Sequence, residues 1–127
     1  MMKDASSELE SIDQARFVLN AIRKGIISVE LMYRASRDGW NPKDFHRHCD
    51  AAKRSITLIR STVGYLCAGY TGLSWFSEHP EHVRDPEAFV CSLTKEMRVF
   101  RPDNPDVAIY RFAYQGPIWG SALGVIG

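Results

Sequence analysis

The sequence predicts an α+β fold. Three observations carry that prediction. One long amphipathic segment opens the chain, short alternating runs rich in β-branched and aromatic residues follow, and clusters of Gly, Pro, Asn and Asp separate them. At 127 residues the chain is one ordinary domain with room for a modest core. The expected inventory is a leading helix, a short second helix and about five or six strands in antiparallel hairpins.

The leading helix is read over residues 7–24, SELESIDQARFVLNAIRK. Ser7 with Glu10 three residues on makes a capping box, which satisfies otherwise free N–H groups of the first turn. Ile12, Ala15, Leu19 and Ile22 recur at helical spacing and Val18 broadens the stripe, leaving Phe17 for a second surface. Arg23 and Lys24 complement the negative C-terminal end, and Gly25 closes it. ISVELMYR then reads as a strand, with Leu31 to Arg34 leading to a turn at Asp38-Gly39. Asn41 as N-cap and Pro42 at the first helical position start a short helix within 41–52. Phe45 and Cys49, four apart, face the same side of it.

SITLIRST and GYLCAGYT form the clearest strand pair, joined by a hairpin around Thr62-Val63-Gly64. Ile56 and Leu58 share one face of the first strand, Thr57 and Ile59 the other. Gly64, Gly69 and Gly72 mark places where the backbone bends or is closely approached. Residues 77–87 read as a polar loop, AFVCSL as a strand, and RPDNPD as a turn. VAIYRFAY reads as a further strand and GPIWG as a glycine-bracketed bend.

Bulk properties exclude several classes. A net charge of +1, with Lys and Arg scattered, gives no basic stripe for tracking phosphates, so no nucleic-acid partner is expected. The longest mainly apolar run, Ile118 to Ile126, is too short to span a bilayer. The N-terminus is polar and acidic, unlike a signal peptide. Cys49, Cys67 and Cys91 are odd in number and widely spaced, which fits reduced thiols in a cytoplasmic protein.

LMYRASRDGW, FHRHCD, TLIRSTVGYLCAGYT, Trp75, DPEAFVCSL and GPIWG follow one another in an order that resembles the TLDc domain. That domain typifies the oxidation-resistance proteins and their relatives. The resemblance runs from Ser28 to Gly120, and the preceding helix fits the family's leading helix. Its motif positions here are Arg37, Asp38, Gly39, Trp40, Phe45, Cys49, Gly64, Gly69, Trp75, Phe89, Gly116, Pro117, Trp119 and Gly120. The resemblance implies an antiparallel β-sandwich flanked by helices, with 1–25 as leading helix and 26–127 as the sandwich of a single domain. It also implies resistance to oxidative stress, and binding to and control of the vacuolar-type proton-pumping ATPase. Such a protein is cytoplasmic and reaches endolysosomal membranes through its partner. No settled reaction and no cofactor come with the family, so a protein-interaction domain is expected rather than an enzyme. Two departures stand out. Ala68-Gly69 replaces the usual glycine pair, and family domains continue well past GPIWG. The chain is therefore expected to lack the last strands, leaving sheet edges and apolar surface open.

The residues offer sharper chemistry, weighed in turn. Arg37 and Asp38 read as turn architecture, with Trp40 as an apolar anchor beside it. His46, His48 and Cys49, with His79 and His82, raise a zinc question. However, His46 and His48 lie about 200° apart on a helix and cannot both face one ion. His48 is equally misplaced to activate Cys49, and burial raises the pKa of strand thiols such as Cys67 and Cys91. Asp38, Asp50, Asp85 and Glu87 supply carboxylates that the sequence cannot bring into one cleft. Trp75-Phe76 and Trp119 read as core filling ahead of partner anchors. Two rivals to the interaction domain stay open: a small thiol- or carboxylate-based enzyme, and a partner-dependent fragment without activity of its own.

Overall fold

Asn41 does what its sequence position dictates. Its side chain accepts from the Lys43 N–H at 3.1 Å, and Asp44 reaches back to the Asn41 N–H at 3.3 Å. The start of that helix is thereby fixed. The computed structural model describes residues 12–25 and 28–120. Within them lie helices α1 (Ile12–Ile22), α2 (Ala35–Asp38) and α3 (Pro42–Cys49). The strands are β1 (Ser55–Arg60), β2 (Leu66–Thr71), β3 (Glu81–Val83), β4 (Phe89–Ser92), β5 (Arg98–Phe100), β6 (Ile109–Arg111) and β7 (Ile118–Trp119), with a 3-10 turn at Pro105–Val107.

All pairings are antiparallel and make two sheets, β1-β2-β4-β5 and β3-β6-β7. Strand alternation divides the core between them. Leu66, Ala68 and Tyr70 of β2, with Phe89 and Cys91 of β4, face α1 and bury its Val18, Ala21 and Ile22. The opposite face presents Gly69 and Val90 to the second sheet, where Trp119 and Ile109 join Trp75 and Phe45. The layers thus run α1, first sheet, second sheet, the α+β arrangement read from the sequence.

Several elements differ from the sequence reading. Ser7 and Glu10 lie outside the described residues. The buried stripe of α1 is Gln14, Val18, Ala21 and Ile22, while Ile12 is 73% exposed. The helix is rotated because Gln14 points inward to donate to the Leu93 carbonyl at 2.8 Å. Arg23, at φ 61°, takes the left-handed turn expected of Gly25. Leu31 to Arg34 is not a strand. Arg34 keeps extended backbone (φ −135°, ψ 119°), yet it pairs with no strand among the described residues. Asp38-Gly39 is no hairpin turn but the end of a one-turn helix, where Gly39 adopts φ 118°. The polar loop 77–87 contains β3, and the GPIWG bend contains β7, each recruited by pairing to β6. Strand β5 was not foreseen. Its RVF is short and two-thirds exposed, so it carries little apolar signal. The β1–β2 hairpin, the α3 start and the β4 strand lie where the sequence put them.

Candidate functional site

The opening motif folds into a corner between α2 and α3. Asp38 accepts from the Arg34 N–H at 2.9 Å and from both Nε and Nη2 of Arg37 at 2.8 Å. The Arg37 guanidinium, more than any other group, holds the Asp38 carboxyl well below the usual carboxylate range. The Tyr33 hydroxyl donates to the Gly39 carbonyl, and its ring meets Phe45 edge-on at 5.6 Å. Burial, then the nearby Asp44, raises the Tyr33 hydroxyl pKa. Gly39 suits this place because its φ of 118° is one that L side chains rarely adopt, and a methyl group at its Cα would displace the Asp44 carboxylate that caps α3. Trp40 is not the packed anchor expected of it. At 81% exposed it stands out from the corner, because the Gly39 backbone turns it away from the core that Phe45 fills.

The histidines of FHRHCD diverge, as helical geometry requires. His46 Nδ1 meets Asp50 Oδ1 at 2.6 Å, and its Nε2 meets the Gln115 carbonyl at 2.7 Å, tying α3 to the loop before β7. His48 lies on the other side, 2.9 Å from its own helix's Asp44 carbonyl. Among the described residues no three His, Cys, Asp or Glu side chains gather as a metal site. Cys49 sits behind Phe45, and burial pushes its thiol up to about 11, with Asp50 and Asp38 adding to the effect. Burial does the same to Cys91, also to about 11, and raises Cys67.

Beneath the corner lies a tryptophan pair. Trp75 and Trp119 meet edge-on at 5.2 Å, and Trp119 Nε1 donates to the Tyr70 carbonyl at 2.9 Å. Gly69 admits the Trp119 ring against the β2 backbone. Both tryptophans are core, while Phe76 is half exposed. Asp85 sits at the far end of β2. It is 3% exposed and accepts from Thr71 Oγ1 (2.5 Å), Gly72 N–H (2.9 Å) and Glu87 N–H (3.0 Å). In the sequence Asp85 is one of several carboxylates within the polar loop 77–87. The Asp-Pro-Glu run after β3 was the available signal, since Asp before Pro commonly caps the following turn.

A groove of about 930 Å³ opens beside this corner. Trp40, Phe45, Cys49, Gly116 and Pro117 of the motif set line it, together with all of β1. The structure so gathers five of the fourteen motif positions at one opening. Phe45, Gly69, Trp75 and Trp119 meet in the core behind it, and Arg37, Asp38 and Gly39 hold the corner. Phe89 belongs to the α1-facing core, Gly64 to the tip of the β1–β2 hairpin, and Gly120 bonds to the Ala108 carbonyl at 2.8 Å. Two residues not singled out from the sequence also line the groove, Tyr33 and Tyr70.

Two antiparallel sheets covered by an amphipathic helix, with this corner at one end, define a helix-flanked β-sandwich domain. A family model for the TLDc domain matches residues 5–125, nearly the whole chain. The chain belongs to the TLDc domain family. Comparison with curated proteins gave no match. Among the described residues no helix is long and apolar enough to cross a membrane.

Proposed function

We propose that this chain is a non-enzymatic protein-interaction domain that regulates the vacuolar-type proton-pumping ATPase and supports resistance to oxidative stress. It works in the cytoplasm and meets endolysosomal membranes through that partner. Membership of the TLDc family is the observation that carries the reading. The geometry supports interaction over chemistry. The rival thiol enzyme needs a thiolate near neutral pH, and Cys49 and Cys91 are both pushed up to about 11 by burial. Against that, the motif residues open onto an apolar groove with Trp40 exposed at its rim, the kind of aromatic that anchors partners.

The test pairs two measurements on the whole chain. Saturable binding to the purified pump, with a change in its proton transport, is the expected result. Peroxide survival of cells expressing Cys49→Ser and Cys67→Ser variants is expected to match that of the unaltered chain. Loss of protection by a variant that still melts cooperatively would replace this reading with thiol chemistry.

A further inference from the structure

Helix α1 covers only part of the first sheet. Its Val18 and Ile22 are buried in one cluster with residues of β2 and β4, while Ile56 and Leu58 of β1 pack against that cluster and stay half-buried. The apolar surface therefore continues past the helix into the groove beside the α2–α3 corner. Val18 and Ile22 of α1, Phe45 and Cys49 of α3, and Ile56 and Leu58 of β1 all line it. At about 930 Å³ the groove falls within the roughly 300–1,000 Å³ of sites that hold small molecules. Such sites are mainly apolar, with a few polar groups that orient the ligand.

One polar group of that lining is unsatisfied. Tyr70 is 2% exposed, and its hydroxyl is buried with no hydrogen-bond partner among the described residues. The buried Gln14, Thr71 and Asp85 side chains all have partners. Buried hydroxyls are ordinarily bonded, so a hydrogen-bonding atom is wanted at this point. The neighbouring charges say what kind of atom. Glu87, Arg54 and Asp85 are the charges that act on Tyr70. Glu87 is paired with Lys24 at 2.9 Å, and Asp85 accepts from three donors. Both signs stand around the hydroxyl, so an ion buried there would meet a like charge whichever sign it carried. We propose that the groove binds an uncharged amphiphile, an aliphatic chain ending in one hydroxyl or carbonyl oxygen. The oxygen bonds the Tyr70 hydroxyl, and the chain lies over Ile56 and Leu58. Arg54, exposed and lining the same groove, swings aside to admit it. The site adds a ligand to the interaction domain and does not depend on the pump reading.

The probe is decanol, titrated below its solubility limit into the whole chain and followed by tryptophan emission. Trp40 lines the groove at 81% exposed, so its emission is expected to shift to the blue, and Trp40→Phe is expected to abolish the shift. Saturable binding is expected with a Kd on the order of tens of micromolar, together with amide shifts at Ile56, Leu58 and Tyr70. Decanoate and decylamine are each expected to bind at least roughly tenfold more weakly, since each buries a charge. Tyr70→Phe is expected to bind decanol about fivefold more weakly and to melt like the unaltered chain, because only a partnerless hydroxyl is removed. Arg54→Gly suits the φ of 56° at that position and is expected to keep decanol affinity within about twofold. Decanoate binding as tightly as decanol, or loss of decanol binding in Arg54→Gly, overturns the proposal in favour of an anion site. Unaltered affinity in Tyr70→Phe, or no saturable binding at all, overturns it outright. A failure here leaves pump binding to its own titration, and a failure of pump binding leaves the decanol result standing.

Discussion

Gly69→Ala tests the junction between the two sheets. A methyl group at that position would stand 2.5 Å from both Cη2 and Cζ2 of Trp119, where ordinary contact needs about 3.5–4.0 Å. The indole must therefore move by about 1 Å or the β2 backbone must give. Trp119 has little freedom, being 6% exposed, packed edge-on against Trp75 and bonded to the Tyr70 carbonyl at 2.9 Å. Overpacking of this kind costs about 1–3 kcal/mol. Loss of the indole bond, with donor and acceptor left buried, adds about 1–3 kcal/mol. A total of about 2–6 kcal/mol corresponds, for a domain of this size, to a Tm lowered by roughly 8–24 °C. Thermal melts and urea titrations of three variants supply the control. Gly116→Ala meets no atom within 4 Å and is expected to stay within about 0.5 kcal/mol. Gly64→Ala also meets open space, but its φ of 94° adds about 1 kcal/mol of backbone strain. If Gly69→Ala melts like Gly116→Ala, the Trp119 ring does not lie over β2 and the described join between the sheets is wrong.

Asp85→Ala should cost about 2–4 kcal/mol by urea titration, because one buried and two half-buried donors lose their acceptor at once, and Asp85→Asn should cost less. Thiols of the unfolded chain ionise near about 8.5, whereas folded Cys49 and Cys91 hold their protons to about 11. Both folded pKa values are raised, so their stabilising contribution is complete below about pH 8.5 and fades as pH climbs toward 11; alkylation of both by iodoacetamide should be slow at neutral pH. Asp38 has the opposite sign, its folded pKa being depressed by Arg37. Its contribution is present above the ordinary carboxylate pKa and lost on acidification, so Asp38→Asn should flatten the acid limb of the melting profile.

Legibility followed the range of the forces involved. The start of α3 was readable because Asn41, Pro42 and Asp44 interact within one turn, and the β1–β2 hairpin because its strands are consecutive. Strand β3 was not, since it exists only through pairing with β6 across 26–30 residues, and β7 was not because it is only two residues long, set between glycines. The stripe of α1 was misjudged by hydrophobicity alone, which cannot show that Gln14 is drawn inward by a carbonyl 79 residues away. At the site, Phe45 and Cys49 were placed on one side of α3 by helical spacing, and both contribute to one core cluster. Trp40 misled because a large aromatic after Asp-Gly reads as an anchor, and only the Gly39 dihedrals reveal that it is turned outward.

Helix α1 is fastened at both ends by bonds from side chain to main chain. Gln14 near its start reaches the Leu93 carbonyl, and Arg101 donates to the Ala21 carbonyl at 2.8 Å near its end. The two ties come from the residues that follow β4 and β5. Sliding by one helical turn is about 5.4 Å, which takes both out of reach together. The helix is consequently pinned in axial register with the sheet. What motion remains to it is lifting away as a unit, a single discrete release that strips the cover from Leu66, Ala68 and Tyr70 together.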